Sequence, residues 1–187
     1  MKKIFKIILL VFALLIIVGI TSVSIVILDV AGNLATGSQT LTNDSATGKA
    51  LVVYDPGLSG GAKDVATKIG NDLQSSGYQV VLAGVKSSAA ANTAGYNVIV
   101  IGGPIYAGKP ASTVQSYLNN LKPPAQARIG AFGYGSVKID NSNSTVVMQD
   151  VAPLPSNSSV SFNAVMKIVS SDNVDGRCSE FVTNLLK

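Results

Sequence analysis

The stretch Ala50–Leu73, ALVVYDPGLSGGAKDVATKIGNDL, predicts a buried strand, a glycine-rich turn and an amphipathic helix. Its first five residues are apolar and include two β-branched valines, as in a parallel strand covered on both faces. Apolar residues then recur at helical spacing, at Ala62, Val65, Ala66, Ile69 and Leu73. Such a turn presents backbone N–H groups at a helix N-terminus, where the helix dipole favours an anion, so the unit suits a phosphate. The same glycines also suit a tight chain reversal without a ligand, and that interpretation stays open.

The composition of the 187 residues excludes several classes of function. No histidine is present, which removes His-based catalytic triads and most zinc sites, and leaves Ser59 or Asp55 without a base as a hydrolytic nucleophile. Cys178 is the only cysteine, so no intramolecular disulfide or CxxC motif can form. Three of the 14 basic residues and none of the 10 acidic ones precede Asp29, so the rest is nearly neutral. Nothing in this balance indicates a nucleic acid partner.

The N-terminal part of the chain predicts a membrane anchor. Residues Ile7–Leu28 carry no charge over about 22 positions, which as a helix would rise roughly 33 Å and cross a bilayer. We interpret residues 1–29 as an uncleaved signal anchor, residues 30–48 as a flexible polar linker, and residues 49–187 as the folded domain. Lysines precede the apolar run and acids follow it, which favours a single-pass protein with its domain outside the cytoplasm.

Four more strands follow at intervals that leave room for helices, near residues 78–83, 97–101, 128–134 and 162–169. Strands that alternate with helices predict βαβ units, and hence an α/β domain with a parallel sheet between two helical layers. In such domains ligands bind beyond the carboxyl ends of the strands. The turns after the first, third and fourth strands are all rich in glycine, and we expect them to meet at that edge.

The domain resembles the flavodoxin-like family over essentially all of residues 49–187. The resemblance rests on VVYDPGLSGGAKDVA (52–66), YNVIVIGGPIYAGKP (96–110) and IGAFGYG (129–135), of which the middle motif is the most specific. It implies a flavodoxin-like three-layer α/β/α sandwich with a five-stranded parallel sheet of order 2-1-3-4-5. It also implies FMN as cofactor and single-electron transfer as activity.

Three loops would bind FMN if the family's site is carried over. The phosphate would lie in the turn formed by Gly57, Leu58, Ser59, Gly60, Gly61 and Ala62. The flavin would lie against the loop formed by Pro104, Ile105, Tyr106, Ala107 and Gly108, with Tyr106 as a stacking ring, and would be flanked by Gly133, Tyr134 and Gly135. The family's [ST]-x-[ST]-G-x-[ST] pattern keeps only one hydroxyl here, that of Ser59. No catalytic or metal-ligating residue is predicted.

Two functional interpretations follow, and a third is a subset of the first. The first is a membrane-anchored FMN protein that carries single electrons for a membrane redox partner, either a redox protein or a quinone. The second is an extracytoplasmic module that keeps the fold but has lost FMN, in which the glycines only form turns. The third is an enzyme similar to the membrane-associated flavodoxin-like oxidases that act on a porphyrinogen or quinone. A working FMN carrier would favour a cytoplasmic domain instead.

Overall fold

A computed structural model describes residues 2–30, 35–142 and 144–187. The strands are β1 (Ser38–Leu41), β2 (Gly48–Tyr54), β3 (Tyr78–Gly84), β4 (Val98–Tyr106), β5 (Lys109–Pro110), β6 (Arg128–Gly135) and β7 (Ala164–Val169). The helices are α1 (Lys2–Val30), α2 (Gly61–Ser75), α3 (Ser112–Asn120), α4 (Ser144–Val151) and α5 (Val174–Leu186), with a 3₁₀ turn at Ser88–Ala91. From β2 onward strands and helices alternate as the sequence predicted, except that only the 3₁₀ turn lies between β3 and β4 and that β5 follows β4 directly.

The sheet has the order β1-β3-β2-β4-β6-β7, with β5 paired to β4. The five strands β3, β2, β4, β6 and β7 are parallel and follow the order expected from the resemblance. The sheet nevertheless differs from the five-stranded prediction, because β1 and β5 add two antiparallel strands. The carboxyl ends of β2, β4 and β6 lie side by side at the centre of one edge.

The core consists of two apolar layers, one on each face of the sheet. Ala50 and Val52 face the layer that contains α2 and α5, whereas Leu51 and Val53 face the layer that contains α3 and α4. All four side chains are fully buried. This double coverage explains why the strand is apolar from Ala50 to Tyr54 instead of alternating. The predicted inner face of α2 is buried as expected.

Strand β1 lies within residues 30–48, for which the sequence predicts a flexible polar linker. Its residues pair with β3 in antiparallel register, from Ser38 opposite Ala83 to Leu41 opposite Val80. Ala35, just before β1, is buried, and its carbonyl accepts a hydrogen bond from the N–H of Lys86 at 2.8 Å. Composition alone could not predict this strand, because its side chains are mostly exposed and show no apolar periodicity. Residues 31–34 lie outside the described part.

The predicted single-pass membrane location is contradicted. A bilayer core requires about 20 consecutive apolar residues in one helix. Across residues 2–30, 35–142 and 144–187, no helix combines sufficient length and apolarity to cross a membrane. The placement of the domain outside the cytoplasm, which depended on that anchor, loses its basis.

Candidate functional site

A cleft of about 300 Å³ lies where three glycine-rich loops meet at the carboxyl edge of the sheet. Its walls come from the segment after β2, the end of β4 and the end of β6. The lining residues are Leu58, Ser59, Pro104, Ile105, Tyr106, Tyr134, Gly135, Ser136 and Ser170. A larger depression of about 450 Å³ runs along β7 and α5, but it shares no residue with these loops.

The structure brings seven of the predicted site residues to the cleft wall, and places the other seven behind it or beside it. Gly57, Gly61 and Gly133 lie under the side chains of Pro104, Tyr134 and Ile105, respectively. Ala62 is buried in the core layer of α2, so its side chain does not face the cleft. The remaining three are Gly60, which caps α2, and Ala107 and Gly108, which turn the chain between β4 and β5.

The sequence analysis missed two lining residues, Ser136 and Ser170. Each is exposed and directly follows a strand, β6 and β7 respectively. Only their position could have indicated them, because residues that directly follow a parallel strand lie at the edge of the sheet where ligands bind. Serine alone carries no such information, because the chain has many serines in turns and linkers.

The loop from Gly57 to Gly61 presents backbone donors at the start of α2. Gly57 and Gly60 adopt left-handed backbone angles, with φ of 65° and 76°, which glycine tolerates without a steric penalty. The first backbone bond within α2 runs from the N–H of Asp64 to the carbonyl of Gly60, at 3.1 Å. The N–H groups of Ala62 and Lys63 therefore precede the helical ladder and have no acceptor within the helix. This arrangement suits an anion at the helix N-terminus.

Ser59 supplies the only hydroxyl that the predicted phosphate loop retains. The N–H of Gly61 donates to its Oγ over 3.4 Å, which is long for a hydrogen bond and so weak. A serine oxygen that accepts here still has its own proton to donate. Space also remains around the loop, because a Cβ added to Gly60 would meet no atom within 4 Å.

Two tyrosine rings give the cleft its aromatic walls. Tyr106 ends β4 in a hairpin in which it pairs with Lys109, and 39% of its surface is exposed. Its hydroxyl lies 3.5 Å from the position that a Cβ on Gly57 would take. The half-buried ring of Tyr134 packs on the first residue of α2, and a Cβ on Gly61 would fall 2.3 Å from its Cε1 atom.

The described lining residues fit FMN, a planar aromatic system that carries a phosphate ester. Backbone N–H groups and the Ser59 hydroxyl suit the phosphate, and the rings of Tyr106 and Tyr134 with Leu58 suit a flat apolar surface. No lining residue is charged. The phosphate would therefore depend on backbone donors and the helix dipole instead of a lysine or arginine.

Comparison with known proteins agrees with this geometry at the level of fold. No protein-family model matches the chain, and no curated protein matches it. Oxidised Flavodoxin 2 from Bacillus cereus superposes with a TM-score of 0.50 and 18% identity, over 74% of this chain and 97% of that one. A short-chain flavodoxin associated with a non-canonical PDU bacterial microcompartment gives 0.50 and 15%, over 74% and 95%. The chain has a flavodoxin-like α/β fold.

Proposed function

We propose that this chain is an FMN-binding carrier of single electrons. The observation that carries the proposal is the cleft itself, in which backbone donors at the start of α2 lie beside two tyrosine rings. The flavodoxin-like fold supports it, since the structural neighbours are flavodoxins. When bound, FMN would supply the redox chemistry, and the protein would bind and orient it.

The loop around α2 would hold the phosphate and the two tyrosines the flavin ring. The N–H groups of Ala62 and Lys63 would donate to the phosphate, together with the hydroxyl of Ser59. Gly57 and Ala62 stand where the family pattern has hydroxyl groups, and each missing hydrogen bond to a charged group costs about 1.5–3 kcal/mol. We therefore expect this chain to bind FMN more weakly than a loop with all three hydroxyls would.

The partner proposed for this carrier is a redox protein or a quinone that reaches the rim of the cleft. Leu58 and Tyr106 are 45% and 39% exposed there, although most large apolar side chains of the domain are buried. Exposed apolar groups at a rim are typical of surfaces that meet a partner. Electron exchange would occur at this edge, where a bound flavin would lie closest to solvent.

Titration of the full chain with FMN and with riboflavin tests the proposal. We expect saturable binding of both, with quenched flavin fluorescence and a shifted visible absorption band. Tyr106→Ala should weaken both ligands, because it removes a ring that stacks on the flavin. Ser59→Ala should weaken FMN more than riboflavin, because only FMN carries a phosphate. Val137→Ala is the matched control, since Val137 is 67% exposed and does not line the cleft.

Failure to bind would separate the two interpretations of the fold. If the folded chain binds neither flavin at high micromolar concentration, the electron-carrier proposal is wrong. The glycines would then serve as turn formers in a module without flavin. If Tyr106→Ala weakens flavin no more than Val137→Ala does, flavin does not stack on Tyr106 and the proposed placement is wrong.

A further inference from the structure

We propose that Asp55 and Thr113 form a buried tie that positions the glycine-rich loop for the phosphate of the ligand, an inference that rests on the proposed function. The two residues are 58 positions apart in the chain, and their buried side chains are joined by a hydrogen bond. Asp55 is 1% exposed and Thr113 is 6% exposed. A buried carboxylate is costly unless hydrogen bonds compensate its charge, so its presence at this place requires an explanation.

The carboxylate of Asp55 joins two segments that form the cleft. Its Oδ1 accepts a hydrogen bond from the N–H of Gly57 at 3.1 Å. Its Oδ2 accepts one from the hydroxyl of Thr113, in the first turn of α3, at 2.5 Å. The N-terminus of α3 also favours a negative charge. One side chain thus fixes the loop after β2 against the helix that follows β5.

The end of β4 is a third segment that contacts Asp55. The N–H of Asp55 donates to the carbonyl of Gly102 at 3.0 Å. A Cβ on Gly103 would lie 3.0 Å from the Cβ of Asp55 and 2.7 Å from Cγ2 of Val114. Glycine at position 103 therefore lets the strand, the carboxylate and the helix approach one another closely.

The tie acts on the phosphate loop through Gly57. The backbone of this glycine is in the left-handed conformation and packs on Pro104. A Cβ added to Gly57 would lie 3.0 Å from Cγ of Pro104. The bond from Asp55 holds the Gly57 N–H inward, so the residues that follow are directed toward the cleft and the start of α2. Neither Asp55 nor Thr113 lines the cleft, so both are positioning residues and not ligand contacts.

Three variants separate the geometry of the tie from its charge. Thr113→Val keeps the shape and the Asp55 charge but removes one hydrogen bond, whereas Thr113→Ser keeps the hydroxyl and is the matched control. Asp55→Asn removes the charge but retains an acceptor for Gly57 and can donate its amide to the threonine oxygen. We expect Thr113→Val to weaken FMN about tenfold, equivalent to about 1.4 kcal/mol, and to change riboflavin affinity less than about twofold. Thr113→Ser and Asp55→Asn should not weaken FMN in this selective way.

Amide hydrogen exchange provides a readout that needs no flavin. We expect residues 57–60 to exchange faster in Thr113→Val than in wild type or Thr113→Ser, while α5 stays unchanged. If Thr113→Val does not fold because the buried Asp55 carboxylate has lost a hydrogen-bond donor, the double variant Asp55→Ala/Thr113→Ala is used in its place, because it removes both partners of the bond. Unchanged exchange together with an unchanged ratio of FMN to riboflavin affinity would overturn the inference. Absence of flavin binding by wild type would overturn the proposed function instead, while faster exchange would still support the tie.

Discussion

Replacing Gly61 by alanine tests the contact that forms one wall of the cleft. The new Cβ would lie 2.3 Å from Cε1 and 2.4 Å from Cζ of Tyr134, whereas ordinary contacts begin near 3.4 Å. The ring must therefore move by at least about 1 Å, or α2 must shift. Overpacking of this kind costs about 1–3 kcal/mol, and any gain from alanine in a helix is at most about 1 kcal/mol. We expect Gly61→Ala to lower the free energy of unfolding by about 1–2 kcal/mol.

Urea denaturation with a double-mutant cycle measures this cost. In a Tyr134→Ala background the obstacle is absent, so Gly61→Ala should become neutral or slightly stabilising. Gly37→Ala is the matched control, because a Cβ at Gly37 meets nothing within 4 Å, and its effect should stay within about 0.5 kcal/mol. If Gly61→Ala leaves the midpoint and slope unchanged in the wild-type background, Tyr134 does not pack on the start of α2 and the reasoning is refuted.

Three other groups give separate predictions. Lys167 is 3% exposed, and its Nζ lies 2.6 Å from Oδ2 of Asp150. Asp150→Asn leaves this buried cation without its counter-charge and should lower the free energy of unfolding by about 3 kcal/mol or more. Lys167→Met should cost less, because Asp150 is partly solvated, and equal losses in urea denaturation would contradict this. The N–H of Val169 donates to Asp172 and lowers the pKa of that carboxyl below 3.8. The ionised carboxylate therefore stabilises the fold above pH 3.8, and this stabilisation is lost as the pH falls through the folded-state pKa. Asp172→Asn should reduce the fall in the free energy of unfolding at acid pH, and an unchanged acid dependence would refute this prediction. Burial raises the pKa of Cys178 to about 12, so a thiol reagent at pH 8 should modify only the unfolded protein, and rapid labelling of the native chain would contradict its burial.

The fold could be predicted largely because the apolar pattern of this chain is consistent with it. Ala50–Tyr54 and Val98–Ile101 are apolar at every position, which is typical of central parallel strands, and the glycine turns mark their carboxyl ends. Because the carboxyl ends of neighbouring parallel strands lie at the same edge of the sheet, these turns are expected to meet there. Strand β1 could not be predicted, since a polar edge strand is stabilised by its pairing with β3 and not by a pattern of its own.

The sequence predicts which segments form the candidate site, but not which of their side chains are in contact. The sequence shows that Gly57 and Gly61 precede a helix, but not that Pro104 and Tyr134 lie on them, because those contacts join distant segments. An aspartate directly after a strand is most often a turn residue, so the position of Asp55 in the sequence does not indicate its bond to Thr113. Side-chain partners separated by 58 positions leave no local signal in a single sequence.

Mapping FMN onto the protein by two-dimensional NMR tests the central claim most directly. The backbone N–H signals of the full chain would be followed while FMN is added, with inorganic phosphate and riboflavin as separate additions. The cleft account predicts that the largest shifts fall at residues 57–63, 105–109 and 134–136, and that phosphate alone shifts mainly the first of these ranges. Absence of shifts, or shifts centred on β7 and α5 along the larger depression, would contradict it.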